Sequence, residues 1–294
     1  MNRRRFVEAG LRAAAVAALP AAGTACTARE GSAAAGGGAA AFKHSVCRWP
    51  FSKFPLDEVA RRAKALGLGS VELLEPEEWS VVAKHGLTCA MGYATVPDPR
   101  SRLTKGWNRV ENHAWLLPAY ERAIPLAAAA GVPNIICFSG NREGQSDEEG
   151  LETCARGLKA LLPVAEKHGV TVCMELLNSK VDHPDYQCDH TRWGVALARR
   201  IGSPRFKLLY DIYHMQIMEG DVIRTIRDNH EHIAHFHTAG VPGRHEIDGS
   251  QELNYPAVMR AIADTGFSGY VAQEFIPTRD PWASLEEAVR LCRV

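Results

Sequence analysis

The sequence carries no excess of charge of either sign, with 34 Lys plus Arg against 34 Asp plus Glu. A basic surplus is typical of proteins that bind the nucleic-acid backbone, so we expect no nucleic-acid partner. The eight cysteines include no Cys-x-x-Cys pair, which argues against a structural zinc site. No Gly-x-Gly-x-x-Gly motif follows the first strand-like run, which argues against a dinucleotide-binding fold.

Long apolar runs are also missing beyond the N-terminal segment, where none reaches the roughly 18 residues that a membrane-spanning helix needs. Residues 1–28 instead have the pattern of an export signal. Arginines at positions 3 to 5 precede an alanine-rich apolar run that extends to about Ala22, as in secretory signals. The arginines resemble a twin-arginine signal, which exports folded proteins.

We therefore expect a periplasmic or exported protein. The alternative is a basic N-terminus that is not a targeting signal. Membrane contact is expected only if Cys26 is lipidated. Residues 29–42 form an Ala/Gly-rich stretch with the composition of a flexible linker.

From residue 43 onward, short β-rich runs alternate with longer amphipathic stretches. Eight such runs are predicted to be strands: 43–49, 70–75, 87–93, 134–140, 171–178, 206–214, 233–240 and 269–275. Helical periodicity fills the intervals at 56–66, 77–84, 111–130, 147–167, 191–201, 221–230, 255–264 and 284–292. Strands that alternate with helices indicate a parallel sheet. Eight units in roughly 250 residues predict one α/β domain over 43–294, a single (β/α)8 TIM barrel.

Four of the eight cysteines, Cys47, Cys89, Cys137 and Cys173, lie within these strand-like runs. We expect them to be buried small hydrophobic residues. Whether the other cysteines form disulfide bonds is left open by the sequence.

The active site of such a barrel lies at the C-terminal ends of its strands. Four consecutive predicted strands, the fifth to the eighth, place Glu175, Asp211, His237 and Glu274 near those ends. A charged group within an apolar strand is costly unless it is paired or coordinated. Each glutamate alone could equally be a buried ion-pair partner, but four such groups at one barrel mouth predict a metal site. We expect His235, one layer deeper than His237, to be a hydrogen-bonded core residue.

Three carboxylates and one imidazole suit one divalent metal ion, with Mn2+ or Mg2+ favoured and Co2+ or Zn2+ also compatible. Beyond the ligands, Arg244 follows the seventh predicted strand, and its planar fork suits a substrate carboxylate or hydroxyl pair. The alternative is a surface salt bridge with Glu246. His214 follows Asp211 by three residues and is predicted to bind a substrate oxygen, with a structural capping role as the alternative.

Three tryptophans follow the first three predicted strands, and each could either wall the pocket or pack in the core: Trp49, Trp79 and Trp107.

Five segments form a recognisable set: Ser45-Val46-Cys47-Arg48-Trp49, Glu175-Leu176-Leu177-Asn178, Asp211-Ile212-Tyr213-His214, Pro242-Gly243-Arg244-His245-Glu246 and Gln273-Glu274-Phe275-Ile276-Pro277. In these segments the chain resembles the xylose-isomerase-like barrel superfamily and, within it, the hydroxypyruvate isomerase family. The resemblance covers essentially all of 43–294. It implies a divalent metal held by the four residues above, with Glu175 and Glu274 as the catalytic acid/base pair.

The chemistry implied is interconversion of a hydroxy-aldehyde and a hydroxy-ketone by proton transfer through an enediolate, as from hydroxypyruvate to tartronate semialdehyde. The small-molecule partner, the substrate, would be a hydroxy-keto acid or a sugar. Hydroxypyruvate isomerases often carry glutamine where this chain has His237, whereas ketose 3-epimerases of the superfamily carry histidine. The export signal is a second departure from a family expected to act in the cytoplasm.

Four alternatives remain open at this point. A keto-sugar 3-epimerase or a polyol dehydratase could use the same metal site, and an exported sugar-binding barrel could lack turnover. A DNA-repair endonuclease of the related barrel type would need several zinc ions with more histidine ligands and a basic surface. A homo-oligomer is compatible with all of these.

Overall fold

The computed structural model of the protein describes residues 41–294. The predicted export signal (1–28) and all but the last two residues of the predicted linker (29–42) lie outside the described residues. Within the described part, no helix has both the length and the apolar character needed to cross a membrane.

Seven strands form one sheet in which every pair is parallel. They are β1 (Lys43–Cys47), β2 (Ser70–Glu72), β3 (Asn134–Cys137), β4 (Thr171–Glu175), β5 (Phe206–Asp211), β6 (Ile233–Thr238) and β7 (Tyr270–Gln273). The spatial order is β2-β1-β7-β6-β5-β4-β3, so the first and last strands of the chain are neighbours. The sheet therefore curls round on itself, and β2 and β3 are the two edges left to be joined.

The predicted strand 87–93 joins these edges but is not a regular strand. Isolated parallel bridges link Ser70 to Thr88, Leu74 to Gly92, and Gly92 to Ile135. The ladder is interrupted at Ala90, because its N–H donates to the Ser70 Oγ atom (2.8 Å) and its carbonyl accepts from Asn134 Nδ2 (2.9 Å). Side chains thus take the place of backbone partners. The predicted strand has the right position in the barrel, but it is not a regular strand. We refer to residues 88–93 as the closing segment.

Nine helices lie among the described residues: α1 (Leu56–Ala65), α2 (Trp79–Ala83), α3 (Val110–Ala130), α4 (Asp147–His168), α5 (Thr191–Ile201), α6 (Ile212–Met218), α7 (Val222–Asn229), α8 (Tyr255–Asp264) and α9 (Pro281–Cys292). Eight correspond to the predicted helices. Local signals fix their ends: in α4, Ser146 and Glu149 form a capping box at the start, and Gly169 adopts a left-handed φ of 71° after the end. With the helices following the strands, the architecture confirms the predicted (β/α)8 barrel.

The unpredicted helix α6 corrects the sixth strand run. That run was predicted to continue to His214, but β5 ends at Asp211. The Asp211 side chain accepts a hydrogen bond from the His214 backbone N–H (3.2 Å), and so it caps the new helix. His214 consequently lies in the first turn of a helix and not on a strand.

The four cysteines predicted to be buried are at most 1% exposed, which confirms that expectation. The seven described cysteines are all unpaired.

Candidate active site

The structure brings together the four predicted ligand residues. Glu175 and Asp211 are the last residues of β4 and β5, His237 is the penultimate residue of β6, and Glu274 directly follows β7. Parallel register sets Asp211 opposite His237 and His237 opposite Ala272, so the side chains lie at one level of the barrel. One potential ligand atom from each residue lies within 4.8 Å of the others, and all four residues are buried.

The two nitrogen atoms of the His237 ring have different surroundings. Nε2 lies 3.0 Å from Glu72 Oε1. Nδ1 lies 2.7 Å from Glu274 Oε2 and 3.4 Å from Glu175 Oε1, but it has no hydrogen bond of acceptable geometry to any described residue. A buried nitrogen without a partner, facing carboxylate oxygens, is a suitable metal ligand. On this observation and on the chemistry of the donor set, the residues fit a divalent metal ion.

Electrostatics also favour a cation at this place. Burial is the largest cause that raises the pKa of Asp211, to about 7, with Glu274 adding to the rise and Arg244 opposing it. Burial likewise raises the pKa of Glu175. Glu274 differs, because His237 and Arg244 overcome the effect of its burial and hold its pKa well below the ordinary value. Three clustered carboxyl groups share one permanent positive charge from Arg244, so a divalent ion would relieve their repulsion.

Arg244, predicted to bind substrate, points into this cluster. Its Nη2 atom donates to Asp211 Oδ2 (3.0 Å) and to Glu274 Oε2 (2.5 Å). The alternative partner Glu246 is engaged elsewhere: its carboxylate accepts hydrogen bonds from the Thr278 backbone and hydroxyl and from the Ser284 hydroxyl. The loop that carries Arg244 reaches back over the barrel, and the residue itself has a positive φ of 60°.

His214, also predicted to bind substrate, faces Arg244. Its Nδ1 atom lies 3.1 Å from the Asn178 backbone nitrogen, and its Nε2 atom lies 2.5 Å from Arg244 Nη1. Burial and the nearby Arg244 keep its pKa well below the ordinary value, so the ring is neutral. A neutral ring accepts at one nitrogen only, so His214 can accept from the Asn178 N–H or from Arg244 but not from both.

A cavity of about 500 Å3 opens above these residues. Trp49 lines it and donates from Nε1 to Glu274 Oε1 (2.7 Å), whereas Trp79 and Trp107 are buried in the core. The expectation of a pocket wall thus holds for one of the three tryptophans. The remaining lining comes mainly from the strand ends and from the loop after the closing segment: Leu73, Tyr93, Pro99, Arg100, Arg102, Leu103, Phe138, Glu175, Leu177, Asp182, His183, His214, Arg244 and Glu274.

One functional candidate beneath the site was missed. Glu72 ends β2, is fully buried, and contacts both His235 and His237 through Oε1. Although burial alone would raise its pKa, the two imidazoles bring it to about 2. The signal was available, because Glu72 is a charged residue inside an apolar strand run. His235 is a buried, hydrogen-bonded core histidine, as expected.

Comparison with known proteins now identifies the family. The model of a family described as "Xylose isomerase-like TIM barrel" matches residues 32–293. The chain belongs to this family. Among curated members, a 2-oxo-tetronate isomerase of Cupriavidus necator is 31% identical, over 78% of this chain and 90% of that protein. The Escherichia coli hydroxypyruvate isomerase is also 31% identical, over 55% and 63% of the two chains. These relatives confirm the predicted hydroxypyruvate isomerase-like membership and the isomerase class of enzyme.

Solved structures of other proteins superpose on most of this chain. A Brucella melitensis structure titled as an AP endonuclease of family 2 has a TM-score of 0.74 and 27% identity, covering 83% of this chain and 97% of its own. The Escherichia coli 3-keto-D-glucoside 4-epimerase in its apo form has a TM-score of 0.70 and 20% identity, over 85% and 100% of the chains. The second similarity shows the shared fold alone.

Proposed function

We propose that the protein is a metal-dependent isomerase that moves a carbonyl group along a small hydroxy-keto acid, in the manner of hydroxypyruvate conversion to tartronate semialdehyde. The observation that carries the proposal is the pair Glu175 and Glu274. Their carboxylates lie 3.4 and 2.7 Å from His237 Nδ1, and both residues line the cavity. Asp211 and His237 complete a donor set for one divalent ion, Mn2+ or Mg2+ in preference to Co2+ or Zn2+.

A divalent ion held by these four residues would act as a Lewis acid that stabilises negative charge on substrate oxygens. The proton transfers fall to the chain's own groups. Each glutamate has two oxygens, so it can bind through one and exchange a proton with substrate through the other. Removal of a proton beside the carbonyl gives an enediolate, and return of a proton to the neighbouring carbon completes the isomerisation.

Neighbouring side chains hold the Glu274 carboxylate in position for proton transfer. Its Oε1 atom accepts from Trp49 Nε1 and its Oε2 atom accepts from Arg244. These two donors fix the carboxylate plane, because both oxygens have a directional partner. The apolar side chains Leu73, Phe138 and Leu177 line the cavity and limit the access of water to a carbanion-like intermediate.

Arg244 supports an acidic substrate. Its guanidinium lies at the cavity edge next to Glu274, with His214 beside it. A guanidinium fork matches a substrate carboxylate. A hydroxy-keto acid would bring a negative charge to Arg244, whereas a neutral keto-sugar would offer only uncharged carbonyl and hydroxyl oxygens.

The second candidate is a keto-sugar 3-epimerase, and His237 is the residue that favours it, since epimerases of the superfamily resemble this chain there. A polyol dehydratase would use the same glutamates. A non-catalytic sugar-binding barrel would have no need for two buried glutamates facing the cavity. For an endonuclease with several zinc ions, the described residues supply few ligands: the two metal-capable groups found among them share His237.

A substrate panel with and without a chelator separates these candidates. Purified protein is supplied with Mn2+ and offered hydroxypyruvate, a four-carbon 2-oxo sugar acid, a ketohexose and a cyclic polyol, with products followed by proton NMR. The proposal predicts that the acids isomerise and that a chelator stops the reaction. Turnover of the ketohexose alone would favour the epimerase, and absence of any effect of metal or chelator would contradict the proposal.

A further inference from the structure

A buried carboxylate lies directly beneath the candidate metal site. Glu72 closes β2 with no exposed surface. Its Oε1 atom is 2.7 Å from Nε2 of His235 and 3.0 Å from Nε2 of His237. Its Oε2 atom has no hydrogen-bond partner among the described residues. One carboxylate oxygen therefore accepts a hydrogen bond from each of the two imidazole rings.

This arrangement determines which nitrogen of His237 carries the proton. A carboxylate oxygen can only accept, so the nitrogen facing it at 3.0 Å must present an N–H group. Metal binding requires a neutral ring, and in that form Nδ1 has the free lone pair; it is the atom that faces Glu175 and Glu274. The same oxygen holds His235, whose ring is almost perpendicular to that of His237, with an interplanar angle of 84°. The His237 ring is thereby fixed in position as well as in tautomer.

We propose that Glu72 is a positioning residue that holds His237 as the Nε2–H tautomer, with Nδ1 directed at the metal site. The inference rests on the proposed function, because it takes His237 as a metal ligand. A carboxylate on the far nitrogen orients a ligating histidine and makes it more basic, and loss of such a partner typically weakens metal binding about 10- to 100-fold.

Cys47 provides the main competing interpretation. Its Sγ atom lies 3.7 Å from His237 Nε2 and 4.0 Å from Glu72 Oε1, so these three residues could themselves hold a metal ion. Two observations favour the hydrogen-bonded arrangement. The 2.7 and 3.0 Å separations are hydrogen-bond lengths. An ion about 2.0–2.2 Å from both nitrogen and oxygen in tetrahedral geometry would hold these atoms further apart.

The tautomer is read with a diamagnetic ion, Mg2+, bound at the site. Full-length protein is labelled with 15N-histidine, and long-range 15N–1H correlation spectra distinguish the two tautomers, with His237→Gln identifying the signal. We expect the Nε2–H form of His237 in the unmodified protein. We expect a mixture of forms or the Nδ1–H form in Glu72→Leu, which has a similar volume but no acceptor. An Nδ1–H ring in the unmodified protein would overturn the inference.

Metal affinity provides the second readout, and it also covers the case in which Glu72→Leu does not fold. Mn2+ binding is measured by electron paramagnetic resonance for the unmodified protein, Glu72→Gln and the control Glu219→Gln. Glu219 is a matched control because its carboxylate accepts hydrogen bonds from the Thr191 backbone and hydroxyl and touches none of the four ligands. We expect one Mn2+ per chain, with affinity weakened about 10- to 100-fold in Glu72→Gln and unchanged in Glu219→Gln.

The possible failures are distinguishable. Equal Mn2+ affinity in Glu72→Gln and the unmodified protein would overturn the role of Glu72 and leave the proposed function standing. Two ions per chain, reduced to one by Cys47→Ala, would overturn it in favour of a second metal site. Absence of Mn2+ binding by the unmodified protein would contradict the proposed function itself and the role of Glu72 with it.

Discussion

Glu175 and Glu274 occupy equivalent places at the C-terminal ends of β4 and β7, yet their surroundings differ. Glu274 is fixed by Trp49 and Arg244 and retains its negative charge, whereas burial raises the pKa of Glu175. Carboxyl groups with opposite pKa shifts in one pocket are a frequent arrangement in acid–base catalysis.

Replacing either glutamate by glutamine is expected to lower turnover about 10^2- to 10^4-fold, because the amide cannot exchange a proton. Steady-state rates for Glu175→Gln and Glu274→Gln, compared with Glu219→Gln, measure the effect. Thermal unfolding of each variant separates loss of chemistry from loss of fold. Turnover within a few-fold of the unmodified protein in either variant would refute its catalytic role.

Glu246 illustrates a carboxylate with a structural role close to the site. Burial alone would raise its pKa, but hydrogen bonds from Thr278 and Ser284 bring it to about 2. A depressed pKa means that the stabilisation is present above the unfolded value of about 4.3 and is lost as pH falls toward about 2.

We therefore expect Glu246→Gln to lower the free energy of unfolding by about 1–3 kcal/mol at pH 7. The difference from the unmodified protein should shrink as pH falls from about 4 toward 2. Urea unfolding at a series of pH values provides the measurement. A difference that stays constant over this acidic range would show that the ionised carboxylate is not the source of the stabilisation.

Helices and strands could be predicted from sequence periodicity wherever backbone groups hydrogen-bond to other backbone groups. The eight helical patterns and seven of the eight strand runs appear as regular elements because each has a continuous ladder or an amphipathic face. The closing segment departs from this, since Ser70 and Asn134 side chains satisfy Ala90. Helix α6 was missed because Ile212 and Tyr213 continue the apolar run of β5, which hides the local cap that Asp211 provides for the His214 N–H.

The same distinction applies to the site. One argument, a charged residue at an apolar strand end, found the four residues that the structure brings together. Glu72 satisfies that argument too but was passed over. The approach of Arg244 to Asp211 could not be read from the sequence, because it depends on a loop conformation with a positive φ at Arg244 itself.

The closing segment offers a test at the scale of the element. A Cβ atom added at Gly92 would lie 2.8 Å from the Trp79 ring and 3.2 Å from Ile135 Cδ1. We expect Gly92→Ala to destabilise the protein by about 1–3 kcal/mol through overpacking. Gly249→Ala is the control, since a Cβ there meets no atom within 4 Å. Equal stability of the two variants in urea unfolding would contradict this role for Gly92.

The whole molecule combines a family barrel with an N-terminal segment that we propose directs export. Residues 1–28 carry paired arginines ahead of an apolar run, and a twin-arginine route would deliver the protein already folded. Such a route suits an enzyme that takes up its metal before export.

Replacing Arg3 and Arg4 by lysine should keep the protein in the cytoplasm, because the receptor reads the arginine pair. Cell fractionation of the full-length chain and of Arg3→Lys/Arg4→Lys measures the distribution. Equal export of both forms, or retention of both, would count against the proposed signal.

The most direct test of the central claim follows the substrate proton. The protein, stripped of metal and then reconstituted with Mn2+, is incubated with hydroxypyruvate in D2O. After removal of the paramagnetic ion, the product is examined by NMR and mass spectrometry. We predict tartronate semialdehyde with deuterium at C2 in the reconstituted sample, and no reaction in the stripped protein or in Glu175→Gln. Isomerisation that proceeds equally without metal, or none with any hydroxy-keto acid, would contradict a metal-dependent proton-transfer isomerase.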